Sequence, residues 1–118
     1  MKSIRNTTTA KLKKIRDALV PLAAVAPVFH YRKPPAETVN RYIVWAEDGG
    51  QNFSADNRTR ERSIGGTIDL YTQKEYDPLI DLLEDQLNEA PHVMWDLNSV
   101  DYDDETNLIH YEWIFTVA

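Results

Sequence analysis

Three histidines (His30, His92, His110) and the acidic run Asp101, Asp103, Asp104, Glu105 have the side-chain types for metal or acid–base chemistry in this 118-residue chain. A metal centre needs three or four converging ligands, and no histidine has another at i+2, i+3 or i+4, so spacing assembles no ligand set. The D-x-D-D-E run resembles a hard-cation loop locally. The sixth residue from Asp101 is Thr106, however, where an EF-hand requires glycine, and the twelfth, Glu112, falls by alternation on a strand. Ser54, Ser63 and Ser99 lack a G-x-S-x-G elbow. Gly49-Gly50 and Gly65-Gly66 match neither the dinucleotide fingerprint nor the P-loop. With no cysteine there is no thiolate nucleophile, disulfide framework or thiolate metal site. The expectation is a protein with no catalytic residue, no metal and no cofactor, its acidic run forming a solvated hairpin tip, with a weak cation site as the alternative reading of that run.

Charge is the more informative chemistry. The net charge is -6, but it is distributed very unevenly. Residues 1–41 carry nine basic side chains against Asp17 and Glu37, a net of +7, whereas residues 75–118 carry twelve acids and no lysine or arginine. The basic candidates for contact are Lys11, Lys13, Lys14 and Arg16, with a second stripe at Arg58, Arg60 and Arg62. A sequence pI near 4.9 lacks the footprint of a nucleic-acid-binding domain, so no specific nucleic-acid recognition is expected. Opposite charges on separate segments can satisfy one another within the chain, or they can stack positive end to negative end with another copy or a partner. The expected interaction residues are therefore the seven cations above and Asp101, Asp103, Asp104 and Glu105.

These residues must be positioned by a single domain, since 118 residues with 42% apolar content suffice for one core. The segment from Lys11 to Phe29 has the basic-then-apolar order of a secretory signal. Asp17, Pro21 and Pro27 interrupt it and its apolar run is too short to span a bilayer, so a soluble protein made in the cytoplasm, without a membrane partner, is expected. Thr7-Thr8-Thr9 offers N-cap hydroxyls ahead of Leu12, Ile15 and Leu19, which predicts an amphipathic helix ending near Pro21. Residues 26–33 and 41–48 read as strands, residues 47–62 as a long loop or extended hairpin arm, and residues 63–72 as a third strand. Gly65-Gly66 within that strand suggests a bulge or close backbone approach. Asp77-Pro78 caps a second helix over residues 78–90, whose stripe is Leu79, Leu82, Leu83, Leu87 and Ala90. Residues 92–100 and 108–117 form a closing hairpin around an acidic turn at 101–107. The fold class predicted is α+β, with a mostly antiparallel sheet of about five strands, two helices packed on it, and the order α-β-β-β-α-β-β.

This order of segments, with RYIVWAED, the loop carrying Ala55-Asp56-Asn57, TIDLYTQKEYDP, PLIDLLEDQLNEA and LIHYEWIFTVA, resembles the small tail-completion proteins of long-tailed bacteriophages and prophages. The most recognisable piece is Ile68-Asp69-Leu70-Tyr71-Thr72, and the likeness runs from about Thr9 to Val117. The resemblance implies a non-catalytic structural protein of the virion. Such a protein is a subunit of a ring, usually hexameric, at the head-proximal end of the tail tube, where it meets the tube protein and the head connector. The competing expectation is a small non-enzymatic interaction or regulatory module that recruits a partner through its sheet edge and acidic hairpin.

Overall fold

A computed structural model of the chain describes the backbone of residues 6–34, 39–52 and 62–118, and the side chains of these except at 50–52 and 62. The first helix, α1, spans Thr8–Leu19 and starts where the Thr7 hydroxyl accepts the Ala10 N–H at 3.1 Å. Ile15, Ala18 and Leu19 are buried along it. Pro21 does not stop the chain outright, because proline fits the first turn of a helix. A 3-10 turn, Val20–Ala24, therefore follows α1 and buries Leu22.

Among the described residues, five strands form one sheet in the order β1-β2-β3-β5-β4. They are β1 (Val28–His30), β2 (Arg41–Asn52), β3 (Arg62–Thr72), β4 (Val93–Asp103) and β5 (Leu108–Val117), with the second helix, α2 (Pro78–Glu89), between β3 and β4. Among the described residues only the β1–β2 pairing is parallel. The domain is thus α+β in the expected order. Both helices lie over one face of the sheet, where Ile43, Trp45, Ile68, Leu70, Trp113, Phe115 and Val117 meet Ile15, Leu19, Leu79, Leu83 and Leu87 in a single core. The period-two alternation of β5 places Trp113, Phe115 and Val117 in that core.

Asp77 joins sheet to helix. Its side chain is fully buried, accepts the Leu79 N–H at 2.9 Å as the α2 cap, accepts the Thr72 hydroxyl at 2.7 Å, and receives both arms of Arg41 at 2.9 and 2.5 Å. Burial alone would raise its carboxyl pKa. The Arg41 guanidinium, the Leu79 N–H and the Thr72 hydroxyl outweigh that and hold it below the ordinary aspartate value.

Three boundaries differ from expectation, each for a local reason. The first strand is confined to Val28–His30, because Tyr31 turns the chain with φ of 73°. The second and third strands extend as a hairpin arm to Asn52 and from Arg62, with a bulge between Glu47 and Gly49. The acidic turn is shorter than 101–107. Asp101 and Asp103 remain paired in β4 with His110 and Leu108, and the Asn107 N–H closes the turn on the Asp103 carbonyl at 2.8 Å. The close backbone approach expected at the glycines is real at Gly66, where a Cβ would lie 2.3 Å from the Ala46 carbonyl oxygen and 2.6 Å from the Phe115 ring. Among the described residues no helix is long and apolar enough to cross a membrane.

Candidate interaction surfaces

Alternation puts a second set of aromatic rings on the face away from the helices. Tyr42, Tyr71, His110 and Asp101 are successive cross-strand partners on β2, β3, β5 and β4. The rings stack in sequence, Tyr42 on Tyr71 at 4.7 Å and Tyr71 on His110 at 4.2 Å, with Phe29 edge-on to Tyr42 at 6.4 Å. After the turn at Tyr31 the chain crosses this face, and Lys33 Nζ lies 4.8 Å above the centre of the Tyr71 ring. Its interaction with Tyr71 holds the ammonium above the ordinary lysine value. Asp69 and Glu112 are directly opposed on β3 and β5, a like-charge pairing that is unfavourable alone. Each carboxylate has its own relief: His110 Nε2 lies 2.7 Å from Asp69 Oδ1, and Asn98 donates to Glu112 at 2.7 Å. The result is a shallow groove of about 430 Å³ between Lys33, Tyr71, His110 and the base of the acidic hairpin. Its polar groups are largely engaged with one another.

A second groove, of about 390 Å³, lies on the helix side between α1, the 3-10 turn and the β1–β2 edge. Leu12, Val20 and Val28 line it, with Trp45 and His30 at one wall and Lys13 and Arg16 at the rim. That wall is a three-ring stack, with His30 lying 3.7 Å from Trp45 and 3.8 Å from Tyr31. Glu47 secures it, accepting the Tyr31 hydroxyl and lying 2.8 Å from His30 Nε2. Burial would raise the Glu47 carboxyl, but the Tyr31 hydroxyl and His30 outweigh it and hold the carboxyl below the ordinary glutamate value.

The helix separates the four cations expected to act together. Lys13 and Arg16 face the second groove, Lys14 reaches the opposite side to donate to the Ala118 carbonyl at 3.1 Å, and Lys11 is buried. Arg16 forms an ion pair with its neighbour Asp17 at 2.9 Å, both side chains being more than half exposed. Arg58 and Arg60 lie outside the described residues, as does the side chain of Arg62. The four acids are also divided by role. Asp101 and Asp103 both line the open-face groove, and Asp103 also shapes the turn, accepting the Glu105 N–H at 2.9 Å and the Thr106 hydroxyl at 3.0 Å. Those bonds hold its carboxyl below the ordinary value. Asp104 and Glu105 are exposed at the tip.

Of the three tryptophans, Trp45 and Trp113 lie in the core and Trp95 packs partly buried against it, whereas Tyr71 lies on the opposite face. Tyr42, Tyr71 and His110 all sit one residue out of phase with the core positions of their strands, but only the register between β2, β3 and β5 brings them into one stack, and no local signal in the sequence sets that register. Among the described residues no group of three or more His, Asp or Glu lies close enough to hold a metal ion. No protein-family model and no curated protein sequence matches this chain.

Proposed function

We propose that the chain is a non-catalytic assembly subunit that completes the tail of a bacteriophage or prophage. In this reading it is made in the bacterial cytoplasm and enters the virion as a ring, most simply hexameric, at the head-proximal end of the tail tube. There it contacts further copies of itself, the tube protein and the head connector.

The observation that carries the reading is the element order α-β-β-β-α-β-β closed into one five-stranded sheet, the order on which the resemblance to tail-completion proteins rests. The edges of that sheet support it. The β4 edge is long, acidic and bears exposed Met94, Leu97, Val100 and Tyr102, while the β1 edge adjoins exposed Lys13, Arg16 and Arg32. Subunits of a ring meet through two different surfaces, and opposite charge on them favours one orientation.

Electron microscopy of particles produced with and without this gene tests the proposal. Loss of the gene is expected to leave headless tails or tubes of uncontrolled length, restored by supplying the protein. Normal joined particles in its absence overturn it.

A further inference from the structure

We infer that the acidic β4–β5 hairpin of one copy docks into the groove between α1 and β1 of a second copy. The inference deepens the assembly reading and rests on it, and it commits to surfaces that the reading leaves open.

The two surfaces are complementary in chemistry. On the groove side, Leu12, Val20 and Val28 make an apolar floor, with Lys13 and Arg16 at its rim. Lys13 has no ion-pair partner among the described residues, and Arg16 is held only by the exposed Asp17 beside it, a pairing that contributes little in water. On the hairpin side, Leu97, Val100 and Tyr102 are 47%, 49% and 59% exposed. All three point to the same face of β4, since they pair with Trp113, Tyr111 and Ile109. Asp104 and Glu105 stand exposed beyond them at the tip. Apolar side chains flanked by carboxylates thus meet an apolar floor flanked by cations, which aligns charge while burying hydrophobic surface.

The geometry makes the contact intermolecular. β1 and β4 are opposite edges of the sheet, four strand spacings or roughly 19 Å apart, so a copy cannot fill its own groove with its own hairpin. Each copy therefore presents one groove and one hairpin, the head-to-tail arrangement that makes a ring when the rotation between neighbours closes. The symmetric alternative, β4 pairing with β4 of a second copy, brings the Asp96, Asp101 and Asp103 edges together and is opposed by like charge.

Two double variants at exposed positions test the inference. Lys13→Glu with Arg16→Glu disables the groove, and Asp104→Lys with Glu105→Lys disables the tip. Folding of both is verified by circular dichroism and melting temperature. Sedimentation at low salt is expected to show association of the wild type and at least a tenfold weakening in each variant alone. An equimolar mixture of the two variants retains one intact groove and one intact hairpin, and is expected to stop at a species of two chains. A mixture that stays monomeric where the wild type associates overturns the inference, as does a variant that associates like the wild type or a wild type that stays monomeric throughout. Association through other residues removes this interface while leaving the tail reading to microscopy. Association through these residues alongside normal gene-deleted particles removes the tail reading instead.

Discussion

The two faces of the sheet are built on different physics. The helix-covered face is held by burial: Ile43, Ile68, Leu70, Trp113 and Val117 are fully buried against α1 and α2. Burial of this kind contributes roughly 25 cal/mol for each Å² of apolar surface removed from water. The open face is held by ring stacking and compensated charges, from Phe29 through Tyr42 and Tyr71 to His110, with Lys33 above and Asp69 beside. Such contacts contribute less apiece than core burial; Tyr42 is itself buried beneath them, while Tyr71 and His110 remain half-buried. Stability therefore resides mainly on one face, and the surface available to partners lies on the other face and at the two edges.

Substitutions should separate these regions by size of effect. The largest is expected at Trp113, fully buried and donating to Glu84 at 2.8 Å. Trp113→Ala should cost about 4 kcal/mol in chemical denaturation. Asp77 comes next because it ties β2, β3 and α2 together. Asp77→Ala should cost about 3 kcal/mol, leaving Arg41 without its carboxylate and α2 without its cap. Its lowered folded-state pKa gives the pH dependence a definite sign. The stabilisation is complete above the ordinary aspartate range and is lost as pH falls through the lowered folded value, so Asp77→Asn should flatten the acid limb of a stability–pH curve.

Smaller effects belong to the open face and the tip. Tyr71→Ala should cost about 1–2 kcal/mol through loss of two stacked partners, while Tyr71→Phe keeps the rings and should change little. Equal losses at Tyr71 and Trp113 would break the comparison. Asp104→Lys with Glu105→Lys should alter folding stability by less than about 0.5 kcal/mol per site, as expected for exposed side chains, even where it alters association.

The elements were legible in the sequence where local signals agree. Asp77-Pro78 marked the start of α2, and of the expected stripe Leu79, Leu82, Leu83, Leu87 and Ala90 the structure buries Leu79, Leu83 and Leu87 while Leu82 is exposed. Features set by long-range contact were not. Neither the β1–β2 parallel pairing nor the crossing of Lys33 over Tyr71 follows from neighbours in the chain, since each depends on the turn at Tyr31 and its bond to Glu47. The charge polarity was visible as numbers along the chain. That α1 would bury Lys11, turn Lys14 towards Ala118, and leave Lys13 and Arg16 beside a groove depended on which side of the helix meets the sheet.

The most direct measurement of whether this is a tail-completion subunit is quantitative mass spectrometry of purified, joined phage particles. The account predicts that the protein co-purifies at a fixed ratio to the head connector, equivalent to one ring per particle. Particles that join heads to tails while containing none of this protein would contradict it.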